Sequence, residues 1–194
     1  MKASFLEIYN EELWDLLCKK NTEKGSNAKK SLPKISIKRN AEGKSFVENL
    51  TKTKIETKDA DCGISELERV MATAARSRSV ACTNMNAQSL RGHSVFMLHL
   101  TGVHKEDGTR VEGVLNLCDL AGSERLDQSG AGSDAKRLKE TQSINKSLSC
   151  LGDVFNALAS GAAHVPYRNS KLTYLLQDCY LLRRVGGHNG GFVG

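Results

Sequence analysis

Leu115 to Cys118 reads as a strand that ends in an aspartate, and the string there is Asp119-Leu120-Ala121-Gly122-Ser123-Glu124. A strand that delivers a carboxylate at its tip and then turns through a glycine suits one kind of chemistry. The carboxylate can hold a water of Mg²⁺, and the glycine lets a backbone N–H approach a phosphate oxygen with no side chain in the way. Many nucleoside triphosphatases sense a γ-phosphate in this manner. Alone, an Asp-x-x-Gly is a weak signal, because an ordinary strand-to-loop turn accounts for it more often. Metal chemistry through cysteine is not expected: the six cysteines lie far apart, none forms a Cys-x-x-Cys pair, and no histidine sits near one at a ligand spacing. They read as reduced thiols of an intracellular protein.

The elements that must position this loop are legible in outline. Val95 to Thr101 and Val111 to Cys118 predict two long strands joined across Glu106-Asp107-Gly108. Ser4 to Tyr9 reads as a buried strand. Asn10 reads as the cap of a short helix, with Glu11 and Glu12 in its first turn and Leu13, Leu16 and Leu17 on one face. Ile35, Ile37 and Phe46-Val47 around Asn40 to Gly43 predict a small hairpin. Ile64, Leu67, Val70, Met71, Ala74 and Ala75 recur at helical spacing, and Arg76 and Arg78 suit the carboxyl end of that helix. Ile144, Leu148, Leu151, Phe155 and Leu158 mark the core stripe of a longer helix ended by Gly161, and Asn169 or Ser170 caps another. Helices interleaved with strands give an α/β fold.

The chain has 194 residues, 39% of them hydrophobic, which suits one domain with a real core. Cys18 to Lys34 reads as an exposed lysine-rich loop, and Leu181 to Gly194, with Arg183-Arg184 and five glycines, as a divergent or disordered tail. No stretch is long and apolar enough to span a membrane, so no membrane insertion is expected. The net charge of +6 asks for an acidic partner. Nucleic acid is disfavoured, because the basic residues are dispersed and only 5% of the chain is aromatic.

Four strings in sequence order change the weight of the Asp-x-x-Gly signal. Asn86-Ala87-Gln88-Ser89-Leu90-Arg91-Gly92-His93-Ser94 resembles the switch I motif of kinesins, and Asp119 to Glu124 is identical to their switch II motif. Ile144-Asn145-Lys146-Ser147-Leu148 resembles the switch II helix, and His164 to Thr173 the loop and helix that kinesins place on tubulin. The resemblance runs from about Lys2 to about Tyr180 and is strongest to the C-terminal-motor, minus-end-directed branch. It implies a central mixed β-sheet flanked by helices, the P-loop NTPase-like motor fold truncated at both ends, with residues 1–180 a partial motor domain and 181–194 the tail.

The implied activity is ATP-driven movement along microtubules. By resemblance, Ser89, Arg91 and Glu124 are catalytic: Ser89 places the attacking water, and Arg91 pairs with Glu124 when the site closes. Asn86, Asp119 and Gly122 bind nucleotide, Asp119 reaching Mg²⁺ through water and Gly122 donating its amide to the γ-phosphate. Lys139, Lys146, Arg168 and Lys171 meet the acidic surface of tubulin. Implied cofactors are ATP and Mg²⁺; implied partners are microtubules and, through regions outside these residues, a coiled-coil dimer. The implied location is the cytoplasm and its microtubule cytoskeleton, including the spindle.

The pattern also fails in places. Leu90 stands where the family has a serine that approaches Mg²⁺, and Gly92 replaces another serine and is expected to loosen the loop. No Gly-x-x-x-x-Gly-Lys-Ser/Thr occurs in the 194 residues, so the amides and lysine that cradle β- and γ-phosphates are missing, and tight ATP binding by these residues alone is not expected. The strand carrying that loop is central in the family's sheet, so a bare strand edge is expected. Two alternatives to the motor stand: a microtubule-binding module without nucleotide chemistry, and a gene-model fragment that does not fold alone.

Overall fold

The computed structural model describes residues 1–18, 34–56, 59–83, 92–123 and 135–181. Its centre is a five-stranded sheet in which β1 (Lys2–Tyr9) lies between β6 (His93–Val103) and β2 (Glu12–Asp15), with β7 (Arg110–Asp119) beyond β6. The two-residue β5 (Thr53–Lys54) pairs with the first residues of β1. All strand pairs among the described residues are antiparallel. β3 (Ser36–Arg39) and β4 (Ser45–Glu48) form a separate hairpin, as its turn chemistry predicts, with Gly43 at φ +79°.

Helices flank this sheet, as the α/β reading requires. On one face α1 (Ala60–Thr83) sets Val70 and Ala74 against Ala3, Leu16, Leu17, Ile55 and Phe96. On the other, Leu6, Ile8, Val95 and Met97 meet Leu172, Leu175 and Leu176 of α3 (Lys171–Leu175) and its following turn. The 3₁₀ turn Tyr167–Asn169 and α2 (Ala135–Ala159) pack beside α3, and α4 (Gln177–Leu181) is the last described element.

Three expectations change. No helix follows Asn10: Asn10 and Glu11 both take positive φ, 50° and 61°, and the chain folds back as β2. Two left-handed residues make the tight turn whose twist matches antiparallel strands, and asparagine tolerates that conformation. The spacing of Leu13, Leu16 and Leu17 mimics a helical face over one turn, yet Leu13 packs on the α3 side of the sheet and Leu16 and Leu17 on the α1 side. Asp15 ends the strand, its carboxylate accepting the amides of Leu17 (2.9 Å), Cys18 (3.1 Å) and Thr51 (2.8 Å).

The second change is in α1, which runs on to Thr83, so Arg76 and Arg78 are not in its last turn. Its start is capped by Asp59, which accepts the Cys62 amide at 2.7 Å. The third is in α2, whose buried stripe is Thr141, Ile144, Ser147, Cys150 and Val154, one residue round from the leucine stripe; Leu148, Leu151 and Leu158 are half-buried and Phe155 is exposed. Ser147 holds its buried position through a hydrogen bond to His93.

The helix ends otherwise follow the sequence. Gly161 takes φ +65°, and the amides of Gly161 and Ala162 return to the carbonyls of Leu158 and Ala157, which is the Schellman closure. Of the two candidate caps for α3, Ser170 is the one: its Oγ accepts the Thr173 amide at 3.2 Å. β7 forms the far edge of the sheet among the described residues, with Val111, Val114, Leu115 and Leu117 exposed. The tail residues 182–194 lie outside the described residues.

Candidate nucleotide-sensing and track-binding site

Asp119 ends β7, opposite Ser94 of β6, and its side chain is 78% exposed. Within reach stands Arg78 of α1, whose Nη1 lies 3.7 Å from Asp119 Oδ2. The same guanidinium has Nε 3.2 Å from Glu7 Oε1 and donates from Nη2 to the Gly92 carbonyl at 3.4 Å. One arginine thus joins helix α1, strand β1, the entry to β6 and the tip of β7. Burial pushes the Glu7 carboxyl up, and the Arg78 guanidinium pulls it back. Sequence reasoning does not reach Arg78, read there as a helix-end charge; the available signal is Glu7, a carboxylate inside a buried strand that needs a counter-charge.

His93 makes the second bridge. Its Nδ1 accepts the Ala121 amide at 3.0 Å, and its Nε2 lies 2.6 Å from Ser147 Oγ, which itself donates to the Ile144 carbonyl at 2.7 Å. These partners assign the neutral Nε2–H tautomer, since Nδ1 must accept while Ser147 already donates elsewhere. Burial holds the imidazole pKa below its ordinary value, with Asp119 opposing. The loop after Asp119 is therefore tied through one side chain to helix α2.

Gly92 is not a loose position. A Cβ built there would lie 2.5 Å from Glu7 Oε1 and 2.8 Å from Glu7 Cδ and Cγ, so the carboxylate occupies the space a serine would need. At Gly122 the reverse holds, and a Cβ would meet nothing within 4 Å. An exposed carboxylate at a strand tip, followed by a glycine with open space beside it, fits the sensing side of a magnesium nucleotide site.

Of the predicted residues, Asp119 and Gly122 stand together on the loop leaving β7. Asn86, Ser89, Leu90, Arg91 and Glu124 lie outside the described residues. Lys139 and Lys146, seven apart on α2, share a face and are exposed. Arg168 and Lys171 are exposed in the turn and helix packed against α2, with the Arg168 guanidinium 5.7 Å from the centre of the Tyr174 ring. The tip of the β1–β2 hairpin braces both helices: the Tyr9 hydroxyl donates to Glu140 of α2, and Glu11 accepts the Lys171 amide at 2.8 Å.

The family model of the kinesin motor domain matches residues 1–183. The chain belongs to the kinesin motor domain family. Among its relatives, Kinesin-like protein KIN-14N of Oryza sativa subsp. japonica is 50% identical over 179 residues, covering 92% of this chain and 22% of the relative. Kinesin-like protein klpA of Emericella nidulans is 47% identical over 180 residues, covering 91% and 21%. The solved motor domain of Saccharomyces cerevisiae Kar3 superposes with a TM-score of 0.68 at 42% identity, over 93% of this chain and 49% of that one. The structure of a fast kinesin, discussed for its ATPase mechanism and interactions with microtubules, gives 0.71 at 37% identity over 91% and 45%. The chain thus spans about a fifth of its curated kinesin relatives and just under half of the solved kinesin chains.

Proposed function

We propose that this chain is the nucleotide-sensing and track-binding part of a kinesin motor that moves along microtubules by ATP hydrolysis. The observation that carries the reading is the His93 bridge, because it joins the Asp119–Gly122 loop to the helix that bears Lys139 and Lys146. A shift of that loop on meeting or losing a γ-phosphate acts directly on α2, and α2 packs against the elements bearing Arg168 and Lys171.

Mg²⁺ and ATP, when bound, supply the phosphoryl group and the charge that neutralises its oxygens. Asp119 would hold Mg²⁺ through water and Gly122 would offer its amide to the γ-phosphate. We assign Ser89 to placing the attacking water, Arg91 and Glu124 to a pair made on closure, and Asn86 to orienting the loop, all by position in the family motifs. Arg78 steadies Asp119 from the α1 side. Lys139, Lys146, Arg168 and Lys171 face tubulin, and the working location is the microtubule cytoskeleton of the cytoplasm, including the spindle. A coiled-coil dimer through other parts of the protein fits the same reading.

A second reading, a microtubule-binding module without nucleotide turnover, has a specific observation behind it: Leu90 stands in the switch I string where the family has a serine, and leucine offers no oxygen to Mg²⁺. One set of experiments separates the two. Co-sedimentation with microtubules is lost in the Arg168→Ala, Lys171→Ala double variant and kept when Lys29 and Lys30 are changed instead, and it weakens steeply with salt. Equal losses from both pairs overturn track recognition by this motif. A domain completed with a family phosphate loop then decides the chemistry: the motor reading expects microtubule-stimulated phosphate release from it and the module reading none, while the 194 residues alone give no micromolar Mg-ATP binding in calorimetry.

A further inference from the structure

Cys18, Cys62, Cys118, Cys150 and Cys179 are free thiols, and the fold sets two of them, far apart in sequence, at one place. Cys118 and Asn116 are two apart on β7 and so share a face, the one that carries Val95 and Met97 on β6 and looks toward α3 and α4. Over that face α4 lays Cys179, whose Sγ accepts a hydrogen bond from Asn116 Nδ2 at 3.1 Å. Two cysteines 61 positions apart in sequence thus meet the same short stretch of strand, and both are exposed. They also lie within electrostatic reach: a charge on Cys179 adds to the burial that pushes the Cys118 thiol up, and charges on both are felt at the Tyr180 hydroxyl. Of the other described cysteines, Cys18 and Cys62 are half-buried and Cys150 is buried.

We propose that Cys118 and Cys179 form a redox-active dithiol that closes to a disulfide on exchange with a small disulfide of the glutathione type, fastening the end of β7 to α4. Cys179, exposed on the short α4, reacts first, because burial pushes the Cys118 thiol up and makes it the poorer attacker. The Cys179 thiolate attacks one sulfur of oxidised glutathione, forming a mixed disulfide and releasing one glutathione thiolate. Cys118, losing its proton to solvent, then attacks the Cys179 sulfur and releases the second. Two protein thiols and one glutathione disulfide become one protein disulfide and two glutathione thiols. The movement the bond requires is a turn of the Cys179 side chain from Asn116 toward Cys118, on a helix of five residues. Cys118 directly precedes Asp119, so the bond fixes the backbone at the strand tip. Nothing in this inference depends on nucleotide or microtubule binding.

The test is exchange of the reduced, full 194-residue chain with oxidised glutathione, quenched with acid and N-ethylmaleimide and mapped by mass spectrometry without reduction. The Cys118–Cys179 linked peptide is expected in about tenfold excess over any other protein disulfide, because folding raises the effective concentration of this pair alone. In guanidinium the excess disappears. Cys118→Ser leaves Cys179 as a glutathione mixed disulfide, and Cys179→Ser leaves Cys118 largely unmodified. Separate glutathionylation of both cysteines without the link, or an equal yield of the link in denaturant, overturns the proposal.

Discussion

At the scale of single residues, two side chains hold the site, and each has a measurable signature. His93 is neutral in the fold with its pKa held down by burial, so the unfolded chain takes up a proton first. Stability is therefore complete above the ordinary histidine value, about pH 6.5, and falls as pH drops below it. Thermal melts at pH 7.5 and 5.5 should show this loss shrinking in His93→Gln, which is itself less stable by about 1–3 kcal/mol at pH 7.5 because Ala121 and Ser147 lose their partner. Gly92 is tested against Glu7. Gly92→Ala destabilises by roughly 1–3 kcal/mol through overpacking, and in the Glu7→Ala background the same change costs much less, a non-additivity read from denaturant midpoints. Neither effect is visible in sequence, where Gly92 looks like a loosened serine and His93 like one letter of a motif. The placement of Asp119 at a strand tip and of Gly122 just after it is legible because both are local features, whereas the contacts of Arg78 form only when α1 lies across β1 and β7.

At the scale of elements, runs separated by clear turn residues survive, as the β6–β7 pair and the β3–β4 hairpin do, and spacings that two kinds of element share do not. The β6–β7 pair is readable because two strand-length runs rich in apolar residues flank the turn residues Glu106-Asp107-Gly108. Asn10 to Leu17 misleads because three leucines suit one helical turn and a strand with its exit loop equally well, and the two left-handed residues decide. That hairpin has a mechanical part: its tip reaches α2 through Tyr9 and α3 through Glu11. Removing the carboxylate in Glu11→Ala leaves the Lys171 amide without its protein acceptor. Hydrogen exchange at Lys171 should rise about fivefold or more, a local effect of around 1 kcal/mol, while amides in the middle of β1 stay protected. The α2 stripe shows a different limit, since a polar Ser147 occupies a buried place that hydrophobicity alone gives to Leu148.

At the scale of the whole molecule, the sheet is lopsided. β1 and the first half of β6 are buried, while β7 exposes Val111, Val114, Leu115 and Leu117 along an unpaired edge among the described residues. Such an edge is a template for pairing with another strand, and lysine there blunts it. Sedimentation velocity of the 194-residue chain should show self-association that Val114→Lys with Leu117→Lys suppresses; an unchanged profile would place the association elsewhere. The same sheet also has a history in time. β6 and β7 are joined by a short turn and can pair within microseconds, but β1 must wait for β6, roughly ninety residues further along, at a much larger cost in loop closure. During synthesis that wait is on the order of ten seconds. For that interval Leu6 and Ile8, fully inside the fold, have β2 and the hairpin-side residues Ile37, Val47 and Leu50 to lie against but neither β6 nor α3, so the strand at the centre of the sheet waits with one of its edges open.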